Sequence, residues 1–283
     1  MAHTMAALSK SSAGHTRPTG YRRARAAFAS EWIKLRSLRS MLVLPLLAVV
    51  VCIGLADLVC SNYAANWKHL DAVRKASFVP FDTNIGFVVI GAIFLGMLGA
   101  LVVTNEYGRG LIRTTLMATP QRGLVLAAKA VLTGLVAFTV SAVICFTAIL
   151  TGQALLAGGH LPHVSLGDPG VLSHLLGAVC YMTAVALIGL FGAVLLRGSA
   201  AAAISGVFAV LFVLPVLTSG LPDDFLKRDL VPYLPVNLGG ALYFTHPGHG
   251  PGVAGTGAAV VATAAWILVL GVAAALSLRG HDA

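Results

Sequence analysis

Six long apolar runs, separated by polar segments, dominate the 283-residue chain. An α-helix rises about 1.5 Å per residue, so a hydrocarbon layer about 30 Å thick is crossed by about 20 residues. Each run has about that length, and Asp57 is the only acidic or basic side chain within them. The pattern predicts an all-α integral membrane protein with six transmembrane helices, at residues 41–60, 85–103, 130–156, 171–196, 199–221 and 253–278.

The composition excludes a water-soluble enzyme. The chain is 58% apolar and only 10% charged, with a mean hydropathy of +0.89, whereas soluble domains are about 25% charged. Backbone groups in lipid must pair internally, which leaves helices or closed barrels. A barrel needs short segments of alternating polarity, and the sequence has none.

The basic residues predict the orientation of the chain. Of the 19 Lys and Arg, 14 lie in the segments 1–40, 104–129, 197–198 and 279–283, which six spans place on one side. Positive charge accumulates in cytoplasmic loops, so we expect both termini in the cytoplasm of a bacterium and the helices in its plasma membrane. The formal charge of +9 is therefore explained by the orientation of the chain and by contact with membrane lipid, and we expect no nucleic-acid partner.

The region before the first span divides into two parts. Residues 1–23 are rich in small polar side chains and show no apolar period, which predicts a disordered basic cytoplasmic tail. Residues 24–39 are predicted to form an interfacial helix, and residues 40–283 the six-span transmembrane domain.

The interfacial helix is predicted from an amphipathic spacing. Phe28, Trp32 and Leu35 recur at intervals of four and three residues, and the positions between them hold the charged side chains Glu31, Lys34, Arg36 and Arg39. Trp32 would lie at headgroup level, and Lys34 and Arg36 would meet anionic lipid. The alternative is a basic flank that only sets topology.

The connection after the second span is too long and too patterned for a simple turn. Gly108 and Gly110 let the backbone bend as it leaves the bilayer, and Arg109 and Arg113 are one helical turn apart. The spacing favours a short cytoplasmic helix, followed by a third span whose helix begins before its apolar run and passes through Lys129. The alternative is a solvated loop whose arginines only enforce topology.

The same connection carries a family resemblance. The succession Glu-Tyr-Gly-Arg-Gly-Leu-Ile-Arg-Thr-Thr-Leu at 106–116, then Thr-Pro-Gln-Arg at 119–122 and Lys129, resembles the loop after the second span in permease subunits of ATP-binding cassette (ABC) transporters of the type-2 exporter family. The sequence Ser-Glu-Trp-Ile-Lys-Leu-Arg-Ser at 30–37 is similar to the start of that family's interface helix. The six-span topology agrees with both.

The resemblance implies a coupling helix that docks into a cytoplasmic ABC ATPase subunit. The residues it assigns to ATPase coupling are Glu106, Tyr107, Arg109, Arg113, Thr114, Thr115 and Arg122. A second permease subunit, identical or different, would complete the transporter. ATP and Mg would be bound by the partner ATPase, so this chain would hold no cofactor and would be no enzyme itself.

The function expected from these features is ATP-driven export of a hydrophobic or amphiphilic compound, such as a drug, lipid or peptide antibiotic. One alternative is an ion-coupled secondary transporter, which the lack of charged side chains at mid-membrane disfavours. Another is a non-transporting membrane anchor or immunity factor. The sequence does not locate a substrate site.

Three lesser patterns complete the reading of the sequence. Residues 230–244 are uncharged but too short to span, which predicts either a re-entrant segment or a plain loop. The two HxxH pairs, at 160–163 and 246–249, have no Glu or Cys partner and predict surface histidines, with no metal site. The four cysteines lack CxxC spacing and predict small buried apolar residues.

Overall fold

The described part of the chain is built from helices. The computed structural model describes residues 25, 28–33, 39–108, 122–196, 200–219, 231–246 and 254–279, and all regular structure within these ranges is helical. In chain order the α-helices are α1 (Arg39–Asn66), α2 (Ala72–Ala76), α3 (Pro80–Ile85), α4 (Val88–Gly108), α5 (Arg122–Gly158), α6 (Val171–Leu196), α7 (Ala200–Phe208), α8 (Leu214–Ser219), α9 (Pro235–Tyr243) and α10 (Thr256–Arg279). Short 3-10 helices cover Trp67–His69 and Val231–Tyr233. Residues 28–33, here called the N-terminal segment, are also helical.

Five helical stretches of the described residues are long and apolar enough to cross a membrane. They are Met41–His69, Pro80–Asn105, Gly123–Gly158, Val171–Leu196 and Thr256–Leu278. Within a helix every interior backbone N–H and C=O is paired, so such a stretch enters lipid without exposing unpaired polar groups. The chain is therefore a multi-pass, all-α membrane protein, as predicted.

The described residues show five spans, and the span predicted at 199–221 is not among them. Residues 200–219 are helical but divided: α7 ends at Phe208, a π-helical turn covers Ala209–Val213, and α8 follows. In the π turn the N–H of Leu214 donates to the carbonyl of Ala209, five residues earlier. Pro215 lies just beyond and has no N–H to give, which explains why the regular hydrogen-bond pattern is lost here.

The other predicted spans match the structure with shifted ends. α6 occupies 171–196 as predicted. α1 continues to Asn66, beyond the predicted end at residue 60. α5 begins at Arg122 and passes through Lys129, as the sequence predicted for the third helix.

Helices α1, α4, α5 and α6 alternate in direction. A pocket lined by Met41, Leu98 and Thr133 brings together the start of α1, the end of α4 and the start of α5. Asn84, at the start of the second span, reaches Cys60 near the end of α1 and Ala148 near the end of α5. The bundle thus has two ends, here called the Lys129 end and the Asp82 end.

Helices α4 and α6 form the buried centre of the bundle. They run parallel and approach closely through glycine: a Cβ on Gly189 would overlap the carbonyl oxygen of Gly96, and one on Gly99 would overlap that of Ala186. Small residues let helix backbones approach in lipid, where association depends on van der Waals contact. α1 and α10 are the least buried of the five spans, so most of their apolar surface faces outward.

The short helix α9 packs against α6 at the Asp82 end. Leu238, Gly239 and Leu242 are buried, and Gly239 lies so close to the Tyr181 ring that a Cβ there would meet it. Gly177 of α6 likewise faces the backbone of Leu242. The indole N–H of Trp266 on α10 donates to the carbonyl of Tyr233 at 2.9 Å. The segment just before the last span is therefore held within the bundle.

Substituting Gly189 by Ala is expected to destabilise the bundle, because the added methyl group overlaps the backbone of α4. Overpacking of this kind costs about 1–3 kcal/mol. Gly192→Ala, one turn away on the same helix, is the matched control, since a Cβ there meets nothing within 4 Å. Thermal unfolding of the purified protein in detergent checks both variants. Equal midpoints for the two would contradict the close approach of α4 and α6.

Candidate functional site

A buried ion pair joins the N-terminal segment to α5. Lys129 Nζ lies 2.5 Å from Glu31 Oε2, and the side chains are 8% and 3% exposed. Lys129 occupies the third turn of α5. The pair therefore ties a segment that precedes the first span to the base of the third, across 98 positions of sequence.

Burial makes this pair a structural constraint. Removing two charges from water costs several kcal/mol per ion, and only their mutual attraction and further hydrogen bonds offset that cost. If the segment separated from α5, this attraction would be lost. The contact therefore favours one position of the N-terminal segment against α5.

The structure describes residues 28–33 of the predicted interfacial helix. Glu31, expected on the polar face among the basic residues, points inward to Lys129. The apolar side chains Phe28, Trp32 and Ile33 are exposed, Ile33 to 67%, which suits a segment lying against lipid. Glu31 is used for packing, because Lys129 offers its carboxylate a partner that the sequence pattern did not reveal.

Of the other interface-helix residues, Trp32 lies in the N-terminal segment, half exposed, at the edge of the pocket described above. Lys34 and Arg36 lie outside the described residues, as does the tail 1–23. α1 begins at Arg39, the last residue of the predicted interfacial helix.

The predicted coupling residues belong to the connection between α4 and α5. The backbone of Glu106 and Tyr107 forms the last turn of α4, and Arg122 is the first residue of α5. Arg109, Arg113, Thr114 and Thr115 lie outside the described residues. The structure thus places the two ends of the connection at the Lys129 end, beside the N-terminal segment, while the docking helix itself stays a prediction.

A polar network crosses three helices toward the Asp82 end. Thr151 Oγ1 on α5 donates to Asp57 Oδ1 on α1 at 2.6 Å. Asn84 Nδ2 on α3 donates to the carbonyl of Ala148 at 3.2 Å, and Cys60 Sγ lies 3.5 Å from the same nitrogen. Gly152 makes room for the Asn84 amide. The three helices are therefore joined by hydrogen bonds inside an otherwise apolar contact.

Two further contacts extend this network to the loops. Gln153 donates to the carbonyl of Pro80 and accepts the N–H of Val164 at 2.9 Å. Asp82 accepts the backbone N–H and the hydroxyl of Thr245, both at 2.8 Å. The carboxylate of Asp82 thereby links the start of the second span to the residues that follow α9.

Sequence reasoning missed most of these polar partners. Asn84 and Gln153 are 1% and 6% exposed, and Gln153 lies inside a predicted span. A single amide within an apolar run was the available signal. Burying a polar group in lipid costs free energy, so such an amide indicates a hydrogen-bond partner. The identity of each partner depends on how the helices pack.

The histidines and cysteines form no metal site in the described ranges, where no group of three or more His, Cys, Asp or Glu side chains could hold an ion. His163 Nδ1 lies 3.1 Å from the carbonyl of Leu161. His246 Nδ1 lies 3.8 Å from Asp82 Oδ2. Cys52, Cys60 and Cys145 are buried free thiols, but Cys180 is exposed, which corrects the prediction of burial there.

Breaking the ion pair from one side is expected to destabilise the protein strongly. Lys129→Met removes the ammonium group that Glu31 contacts, and losing one partner of a buried pair costs about 3–5 kcal/mol. Lys68→Met is the matched control, since Lys68 is exposed at the opposite end. Thermal unfolding in detergent measures the difference.

The double variant Glu31→Lys/Lys129→Glu tests whether the stability comes from the interaction between the two charges or from each side chain separately. It keeps both charges, so it is expected to recover a substantial share of the stability lost in the single variant. A single variant as stable as the control, or an exchange that recovers nothing, would contradict the pair's role.

Comparison with known proteins gives no assignment. No protein-family model matches the chain, and no curated protein is significantly similar to it.

Proposed function

We propose that the chain is the permease subunit of an ATP-driven ABC exporter in a bacterial plasma membrane. It works with a second permease subunit and with cytoplasmic ATPase subunits that bind ATP and Mg. The observation that carries the proposal is the buried Glu31–Lys129 pair. It joins the two segments that resemble the exporter family, the start of the interface helix and the base of the third span.

The Glu31–Lys129 pair links the connection between α4 and α5 mechanically to the bundle. α4 ends at Gly108 and α5 begins at Arg122, at the end where the N-terminal segment lies. A force on residues 109–121 acts directly on α5, and the ion pair passes the same displacement to the N-terminal segment. An ATPase docked there would move both together.

α5 is suited to carry such a displacement across the membrane. It is one continuous helix of 37 residues, about 55 Å long at 1.5 Å per residue. Near its far end Thr151 and the carbonyl of Ala148 bond to α1 and α3. For transport to follow, the ATP-bound partner must bind two permease conformations with different affinity, since otherwise no population shift results.

The proposal includes a sixth span and cytoplasmic termini. Residues 200–219 are helical with a π turn, and a π-bulged helix of 20 residues has the length of one crossing. With this span, 14 of the 19 basic residues lie on one side. α9, buried against α6, is then a re-entrant helix on the outer side.

The cargo is proposed to be hydrophobic or amphiphilic. The polar side chains on the described spans are mostly hydroxyls, and Thr139, Ser141 and Thr183 each bond to a carbonyl of their own helix. Side chains of this kind offer little to a small hydrated ion and suit an apolar compound.

Co-purification with a nucleotide-binding subunit tests the proposal. Arg113→Ala and Glu106→Ala are expected to lower permease-stimulated ATP hydrolysis about tenfold or more, because hydrogen bonds to charged groups contribute about 1.5–3 kcal/mol each. ATPase activity in a reconstituted complex gives the measurement.

Lys68→Ala serves as the control, because Lys68 is exposed at the opposite end of the bundle. Absence of any ATPase partner, or unchanged stimulation in both variants, would contradict the proposal.

One observation favours an ion-coupled carrier as a second candidate. Asp57 lies within the first candidate span, Met41–His69, and accepts a hydrogen bond from Thr151 across two helices. Because α1 extends beyond residue 60, this carboxylate is farther from the helix end than the sequence predicted. Acidic side chains within spans often mark ion pathways.

Asp57→Asn distinguishes the two candidates. In an ATP-driven exporter, transport in the variant is expected to stay above half the wild-type rate and to be insensitive to collapse of the proton gradient. In a carrier the variant loses gradient-driven transport. Asp71→Asn, exposed and outside the spans, is the control. Transport into proteoliposomes, driven by ATP or by an imposed gradient, measures both.

A further inference from the structure

The first span extends beyond the hydrocarbon layer at the Asp82 end. Its helical stretch, Met41–His69, has 29 residues, whereas about 20 helical residues cross the hydrocarbon. The apolar run begins at Met41, and the exposed side chains change from apolar at Leu58 to polar at Ser61. The residues from Ser61 onward therefore lie at the level of the lipid headgroups.

Three aromatic rings gather at this level. The Phe78 ring lies 5.0 Å from the Tyr63 ring and 5.1 Å from the Trp67 ring, measured between centroids. All three are half-buried and pack against a small apolar cluster that includes Leu156 of α5. Tyr and Trp are enriched at the membrane surface, where one part of the ring meets lipid and another meets water. The rings therefore hold the segment between α1 and α3 at the membrane surface.

The same rings position two cations on α2. Lys75 Nζ lies over the face of the Trp67 ring, 6.0 Å from its centroid, a distance at which a cation and a ring attract each other. Arg74, the preceding residue, is exposed. Neither side chain forms an ion pair within the part of the chain that the structure describes. Two neighbouring positive charges are thus available to an anion.

Exposed apolar surface adjoins these charges. Val73, next to Arg74 on α2, is 79% exposed. A soluble anion would gain nothing from this surface, whereas a phospholipid offers acyl chain to the apolar side chain and phosphate to the cations. The depth, the apolar surface and the charge therefore all favour a lipid.

We propose that Trp67, Arg74 and Lys75, here called the α2 site, bind the phosphate of an anionic phospholipid. The guanidinium of Arg74 donates paired N–H bonds to two phosphate oxygens. The ammonium of Lys75, held by the Trp67 ring, supplies the second positive charge. Residues 67–78 hold three basic side chains and one acidic, Asp71, a net charge of +2, which favours lipids with net negative charge. The site is independent of the proposed transport function.

Native mass spectrometry of the full chain in detergent, titrated with phosphatidylglycerol or with phosphatidylcholine of the same acyl chains, tests the site. The wild type is expected to retain phosphatidylglycerol more tightly. Arg74→Gln/Lys75→Gln is expected to lower that preference about tenfold or more, because each basic side chain near a membrane surface contributes about fivefold to binding. Arg74→Lys/Lys75→Arg, which keeps both charges, is the matched control and is expected to keep most of the preference.

Salt and a soluble anion give two further measurements. The preference of the wild type is expected to weaken as the salt concentration rises, because exposed charges are screened. The remaining preference of Arg74→Gln/Lys75→Gln is expected to depend less on salt. Replacing chloride by inorganic phosphate at equal ionic strength is expected to leave the lipid bound, because free phosphate makes no contact with the apolar surface.

Equal retention of the two lipids by the wild type, or an unchanged preference in Arg74→Gln/Lys75→Gln, would overturn the site. Displacement of the lipid by inorganic phosphate would overturn a lipid as its occupant. Circular dichroism and gel filtration check that the double variant folds. If it does not, the single variant Arg74→Gln decides, since Arg74 is exposed, and an unchanged preference there contradicts the proposal.

Discussion

An apolar surrounding leaves no water to accept a hydrogen bond, so each polar group buried in this bundle needs its partner within the protein or its ligands. The Glu31–Lys129 pair meets that demand between the N-terminal segment and α5. Asp57 with Thr151, and Asn84 with Ala148, meet it between α1, α3 and α5. These contacts favour one register of the helices, because sliding one helix along another would separate these partners.

Close packing of small residues supplies the rest of the architecture. Gly96 and Gly99 on α4 face Gly189 and Ala186 on α6 at backbone distance, which makes these two helices the least adjustable pair. α1 and α10 are mostly exposed along their apolar faces. The closest packing therefore lies at the centre of the bundle, between α4 and α6.

The two ends of the bundle are held differently. At the Asp82 end, hydrogen bonds link α1, α3, α5 and the residues after α9. At the Lys129 end, the ion pair and the pocket edge connect the N-terminal segment to α5 and its neighbours.

The sequence by itself determined the fold class and most span positions, because 20 apolar residues have no other stable place than lipid. It located α6 to the residue. The tertiary structure decided what periodicity cannot express. The inward turn of Glu31, the partners of Asn84 and Gln153 and the π turn before Pro215 all depend on which helices touch. Hydropathy indicates whether a residue lies in lipid or in water. A hydrogen bond or an ion pair between helices depends instead on the distance between two residues far apart in the chain.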